Sequence, residues 1–275
     1  MAEIARSSLE SKRIVITRAA PQSEALAKVL AELGAIPVVL PLVEFGEPED
    51  FGPLDAAIVQ LDQFDWIIFT SGQAVRAFVA RSMDLGASLN PAGSKLRIAA
   101  VGPVSAEAVR KTGLPVEYVA RTHSGVGLAN ELGEQLRGRS VLLPRSDRAN
   151  PDLPAALKTH GAQVTEAVAY RTLQPGEVDR QKLGRISAGE ADALLFFSPS
   201  AVQNFAELVG VDHFLRLQNG LAITAVGPVT AEALRHLKIE RIVVAADTTS
   251  DAVIRALENH FAGAVTPYPA GAKRG

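Results

Sequence analysis

The sequence predicts an α/β protein of two doubly wound parallel-sheet domains, the product of an internal duplication. Three observations carry this. Blocks of sequence recur in one order at a nearly constant offset: AVGPVSAEAV at 100–109 returns as AVGPVTAEAL at 225–234, identical at eight of ten positions and displaced by 125 (225 − 100). Short β-branched runs alternate with amphipathic stretches, the pattern of right-handed βαβ units. Runs such as WIIF (66–69) and ALLFF (193–197) are apolar throughout, as suits strands buried on both faces.

The first copy opens with KRIVITR (12–18), a β-branched run that places a strand at 14–17. Residues 22–33 follow as an amphipathic helix and 37–40 as the second strand. WIIFT sets a strand at 66–70, and IIFTSGQAVRAF (67–78) leads into a helix at 74–82. A strand at 97–101, a helix at 105–112 and a strand at 116–119 complete this copy. The second copy repeats the series. GRSVLLPR (138–145) answers KRIVITR and gives a strand at 141–144; His160-Gly161-Ala162 answers Leu33-Gly34-Ala35; 164–169 is the next strand. LLFFSPSAVQNF (194–205) answers IIFTSGQAVRAF at an offset of 127 (194 − 67) and sets a strand at 193–197. Strands at 222–226 and 241–245 and a helix at 252–261 finish the chain, with TTSDAVIRAL answering THSGVGLANEL. Five strands per copy point to a flavodoxin-like arrangement.

PVVLPLVEF (37–45) and VTEAVAYRTL (164–173) are extended patterns longer than one strand needs, and Pro41 cannot serve a central ladder. Both read as segments that leave one domain and cross to the other. Domain one is then discontinuous, 1–39 and 173–262; domain two is 42–170. The small, Pro-containing end, 263–275, reads as a disordered tail.

Composition limits the function. The chain has 275 residues, 47% hydrophobic and 21% charged, with a formal net charge of -2. That balance speaks against a nucleic-acid partner, whose phosphates ask for a basic excess. No cysteine is present, so disulfides, thiolate nucleophiles and Cys-based zinc sites are excluded. The five histidines are scattered, with no HExxH pair, and no metal site is expected. There is no secretory h-region at the start and no apolar run of ~18–20 residues, so a cytoplasmic protein without a membrane partner is expected. Ser124-Gly125-Val126-Gly127 lacks the third glycine of a dinucleotide fingerprint, and neither a P-loop nor a GxSxG elbow occurs.

In doubly wound sheets, ligands bind beyond the carboxyl ends of the strands, at helix N-termini. Those ends carry Thr70-Ser71-Gly72 and Ser198-Pro199-Ser200, Gly102 with Ser105, Gly227 with Thr230, and Ser124 and Thr249 at the last helices. Each such Ser or Thr also reads simply as an N-cap, and each Gly-Pro as a turn into a helix. Their repetition on one edge in both copies makes them candidates for a polyanionic ligand. Arg18 and Arg145 follow the first strand of each copy, with a surface ion pair as the alternative; an arginine fork matches a carboxylate. Tyr170 lies in the second crossing segment.

FTSGQAV (69–75), AVGPVSA (100–106), Gly161 with Tyr170-Arg171-Thr172, FFSPSAV (196–202) and AVGPVTA (225–231) together resemble the uroporphyrinogen-III synthase family, in order over residues 12–261. The first-copy loop carries Gly72 where the second carries Pro199. The resemblance implies two flavodoxin-like domains joined by a two-stranded β-ladder, and a cleft between them that binds hydroxymethylbilane without a cofactor. It implies closure to uroporphyrinogen III with loss of water and inversion of the last pyrrole ring; a monomer is expected. Tyr170 is the implied catalytic residue. Arg18, Thr70, Ser71, Gly72, Gly102, Ser105, Ser124, Arg145, Ser198, Pro199, Ser200, Gly227 and Thr230 are the binding candidates. The alternative is a non-catalytic ligand-binding or regulatory protein on the same duplicated fold.

Overall fold

The computed structural model describes residues 7–89, 95–245 and 249–263. The tail expected at 263–275 lies outside them but for Gly263. Strands are β1 (Arg13–Ile16), β2 (Ile36–Val39), β3 (Glu44–Gly46), β4 (Trp66–Phe69), β5 (Arg97–Ala100), β6 (Tyr118–Val119), β7 (Ser140–Ser146), β8 (Gln163–Leu173), β9 (Ala193–Phe196), β10 (Ala222–Val226) and β11 (Ile242–Ala245). Helices are α1 (Ala20–Glu32), α2 (Gly52–Val59), α3 (Gly72–Asp84), α4 (Pro103–Arg110), α5 (Gly125–Leu132), α6 (Asp152–Thr159), α7 (Arg180–Ser187), α8 (Pro199–Val209), α9 (Val211–Leu217), α10 (Pro228–His236) and α11 (Ser250–Phe261). The fold is α/β with parallel sheets.

The chain divides into two compact units. Unit 1 holds the residues up to Glu44 and from Leu173 on, and unit 2 holds Phe45–Thr172. Unit 1 carries a sheet in the order β11-β10-β9-β1-β2, parallel at every pairing. Ile14, Ile16 and Leu195 face one side with Leu30 and Leu257. Phe196 meets Phe205 and Phe214 at centroid distances of 5.7 and 5.6 Å.

Unit 2 carries the order β3-β8-β7-β4-β5-β6, parallel from β8 through β6. WIIF explains why β4 is central. Ile67 and Phe69 enter one core with Val75 and Phe78; Trp66 and Ile68 enter the opposite core with Leu128 and Leu143. A strand feeding two cores has no position for a polar side chain.

The extended segment expected at 37–45 is interrupted. β2 ends at Val39 and β3 begins at Glu44, with Pro41 between. Leu40 and Leu42 still donate to Ile16 and Thr17 carbonyls, but proline has no N–H to continue a ladder. β8, by contrast, runs unbroken for 11 residues. A bulge between Arg145 and Ser146 shifts its register, so Val168 faces Arg145 and Tyr170 faces Ser146.

Candidate active site

Parallel strands put their carboxyl ends on one edge of a sheet. In unit 2 that edge carries the N-termini of α3, α4 and α5, beside the last turns of β7 and β8. Ser71 caps α3, its hydroxyl accepting from the Ala74 N–H at 3.1 Å. Ser124 caps α5 in the same way through Gly127 N–H, at 3.0 Å. Gly102 starts α4 with no side chain to cap it. A cap hydroxyl that accepts a hydrogen bond keeps its own O–H to donate, and the first N–H groups of each helix have no carbonyl within the helix to meet. Thr70, Ser71 and Gly72 thus form a donor-rich turn.

Tyr170 stands at this turn. Its hydroxyl lies 3.3 Å from the Ser71 hydroxyl, and either oxygen can donate. Phe45 meets the ring edge-on, with centroids 5.4 Å apart. Burial pushes the phenol above the ordinary tyrosine value. The Ser71 hydrogen bond pulls it down, Asp147 raises it, and Arg76 and Arg145 oppose Asp147. Asp147 is itself fixed: its Oδ1 accepts from the Thr172 N–H and the Ser146 hydroxyl, each at 2.9 Å.

Unit 1 has a matching edge. Ser198 caps α8 through Ala201 N–H at 3.2 Å, and Thr249 caps α11 through Ala252 N–H at 3.3 Å. Pro199 is the first residue of α8 and Ser200 the second. Gly227 precedes α10 with φ of 86°, where a side chain would be strained. Ser105, three residues into α4, and Thr230, three into α10, are both buried. Among the described residues no polar atom meets either hydroxyl, yet no fully buried polar side-chain atom lacks a partner; both oxygens therefore keep a path to solvent. A sunken, unpaired hydroxyl at a helix start is suited to a ligand oxygen.

The arginines divide. Arg18 follows β1 and stacks over Phe197, 4.7 Å from the ring centroid. Arg145 is buried, and its guanidinium is engaged by the Glu166 carboxylate and the Asn150 carbonyl; it tethers the turn after β7. Arg171 bonds Glu47 and Glu49. Sequence reasoning misses Arg76, Asp147 and the Ser146–Thr172 hydroxyl pair. The one available signal for Arg76 is that the second copy has Gln203 at its place.

The loop before α5 is built rigidly. Glu131 accepts from the Arg121 and Thr122 N–H groups, the Thr122 hydroxyl and the Tyr118 hydroxyl. These bonds, the Arg121 N–H first, lower its pKa to about 2. A side chain on Gly127 would lie 1.8 Å from Thr122 Oγ1, so the turn closes only over glycine. Among the described residues, no His, Asp and Glu group is arranged to hold a metal, and no helix is long and apolar enough to cross a membrane.

Comparison with known proteins agrees in one direction. A family model described as uroporphyrinogen-III synthase HemD matches residues 24–255. A uroporphyrinogen-III synthase of Synechococcus elongatus is 30% identical over 260 residues, covering 93% of this chain and 97% of that one. Another, from Chlorobaculum parvum, is 25% identical over 231 residues, covering 83% and 91%. Among solved structures, a mutant uroporphyrinogen III synthase from Thermus thermophilus aligns with a TM-score of 0.59 over 90% of this chain and 99% of that one; at 24% identity it bears on the fold alone.

Proposed function

The chain belongs to the uroporphyrinogen-III synthase family, and on that premise we propose that Tyr170 and the helix N-termini of both units carry the family's reaction, closure of hydroxymethylbilane to uroporphyrinogen III. The observation that carries the assignment of roles is the Ser71–Tyr170 pair, a half-buried phenol held at a donor-rich helix start. A phenol whose pKa is raised is protonated at neutral pH. Tyr170 gives its hydrogen bond, then its proton, to the departing hydroxyl. Ser71 turns to donate to the phenolate left behind. Water leaves, and the substrate becomes an electrophilic azafulvenium cation. The last pyrrole ring attacks through its substituted carbon, the spiro intermediate fragments and recloses with that ring inverted, and the proton shed as the ring regains aromaticity returns to the Tyr170 phenolate.

The substrate's carboxylates need donors more than formal charge. Thr70, Ser71, Gly72, Gly102, Ser105 and Ser124 supply hydroxyl and N–H groups in unit 2, and Ser198, Ser200 and Thr230 supply them in unit 1. Pro199, Gly102 and Gly227 contribute backbone shape rather than side chains. Arg18 adds a stacked cation. Arg145 is left out of the substrate set, because Glu166 and Asn150 occupy its fork. We read the two units as flavodoxin-like copies that have exchanged their first strand–helix pairs, with the crossing segments 37–45 and 164–173 supplying the two-stranded ladder that joins them. The reading rests on the matched sequence blocks and on the strand orders.

The test is a coupled assay with freshly made hydroxymethylbilane and chromatographic separation of the isomers. The protein should yield mainly the type III isomer without added metal or nucleotide. Equal isomer ratios with and without protein would refute the assignment.

A further inference from the structure

We propose that Arg76 is a substrate-anchoring residue: its guanidinium binds a carboxylate on the pyrrole ring that carries the hydroxymethyl group, and so presents the leaving hydroxyl to Tyr170. The inference rests on the reading above. It adds a residue to the site and gives the substrate a direction.

Arg76 lies one turn into α3. Its Nε and Nη2 both donate to Gln73 Oε1, at 3.2 and 2.8 Å. Nη1 lies against the first residue of the helix, 3.5 Å from where a side chain on Gly72 would begin. The guanidinium is thus folded back over the start of α3. Electrostatics alone would not put it there, because the start of a helix carries partial positive charge and repels a cation. No acidic residue sits in the first turn of α3, and among the described residues no carboxylate pairs with Arg76. Its partner is a neutral amide, which fixes the fork without discharging it. A guanidinium has five N–H donors, so the Gln73 contacts leave others unused. Arg76 is exposed, yet near enough to Tyr170 for each to bias the other's charge, and the protein packed beside its guanidinium strips some water from it and lowers its own pKa.

A cation and a helix start therefore meet beside the Ser71–Tyr170 pair, and among the described residues no carboxylate is paired with the cation. A substrate carboxylate supplies that partner, through a charge-assisted, fork-shaped contact. The duplication sharpens the point. In the second copy Gln203 replaces Arg76 and Ser200 replaces Gln73. Among the described residues only unit 2 combines such a cation with a tyrosine, and only one end of the substrate bears the hydroxyl that must leave.

The test compares wild type with Arg76→Gln, reading KM, kcat, isomer ratio and melting temperature. The variant should raise KM for hydroxymethylbilane by about ten- to a hundredfold, the range for losing a hydrogen bond to a charged group, with melting unchanged. Added sodium chloride should raise KM less in the variant than in wild type. An unchanged KM, with or without a fall in melting temperature, would make Arg76 structural and overturn the proposal. Should Arg76→Gln not fold, Arg76→Lys is read in its place, since lysine keeps the charge and loses the fork; a raised KM supports the role and a wild-type KM overturns it. A wild type that forms no type III isomer would instead bring down the parent reading and this inference together.

Discussion

Tyr170, the proposed acid, is a phenol whose surroundings hold its proton. Burial is the largest influence on its pKa and acts upward, so the neutral phenol persists above the ordinary tyrosine pKa of ~10. An acid must be protonated to act. The Tyr170 contribution to turnover should therefore be constant through neutral pH and fall only on the alkaline side, above the ordinary tyrosine range. Its contribution to stability runs the same way: present at lower pH, and lost as pH rises past the free tyrosine value toward the raised one. Tyr170→Phe keeps the ring that Phe45 packs against and removes only the donor. Turnover at saturating substrate should drop toward the low end of the ~10²–10⁴-fold range for general acid assistance, because the leaving group departs readily and positioning does much of the work. Wild-type turnover in Tyr170→Phe would remove it from the mechanism. At this scale, sequence distinguishes residue types but not partners. Tyr170 stands out as a rare phenol in a crossing segment, yet its bond to Ser71 spans 99 positions. For Arg145 the sequence offers a ligand carboxylate or a surface ion pair but not the partner, because Glu166 reaches it only through the pairing of β7 with β8.

Helix starts are where local structure and proposed binding compete for the same atoms. Ser198 serves α8 as its cap, and removing a cap to alanine costs ~0.5–2 kcal/mol of stability, whereas glycine costs only a few tenths. Ser198→Gly thus isolates the hydroxyl's role in binding. Thr230 has no capping duty, so Thr230→Val removes a hydroxyl that no described residue uses. Each substitution should weaken substrate capture by several-fold to about a hundredfold, the worth of one hydrogen bond to a neutral or charged partner, with melting changed little. Unchanged KM values would reduce both to packing. These helix starts are visible in sequence because Ser, Thr and Gly-Pro sit at fixed places after apolar runs. β3 shows in sequence only as the end of the extended stretch 37–45; that it is a strand separate from β2 is not visible, and it pairs with β8 in the sheet of unit 2. The depth of Ser105 and Thr230 is equally hidden, being set by how each helix lies on its sheet.

The duplication is legible for a physical reason: two copies of a βαβ series must each repeat the same turn chemistry at the same strand ends, so Ser71 and Ser198, and Gly102-Pro103 and Gly227-Pro228, recur in register. What it leaves open is which strands share a sheet, because β1 pairs with β9 across some 180 residues and no local pattern encodes that. The division of the chain has a direct consequence. Unit 2 is one continuous stretch with β4 feeding two cores of its own, and nothing in those cores is borrowed from outside Phe45–Thr172. A fragment running from Val43 to Gln174 should therefore fold alone, with a single cooperative thermal transition and mixed α/β circular dichroism, as small single domains do. Unit 1 is split, but its breakpoints lie together, the Gly176 N–H donating to Glu44 Oε2 at 3.2 Å; joining its two segments there by a short Gly/Ser linker should give a second folded unit at modest entropic cost. Neither should cyclise hydroxymethylbilane alone, because the first lacks Ser198 and Thr230 and the second lacks Ser71, Arg76 and Tyr170. A Val43–Gln174 fragment without a cooperative melt would show that its sheet depends on unit 1 for stability. A folded fragment that yields type III isomer unaided would show that the donors of unit 1 are dispensable and that the site is confined to the Ser71–Tyr170 edge.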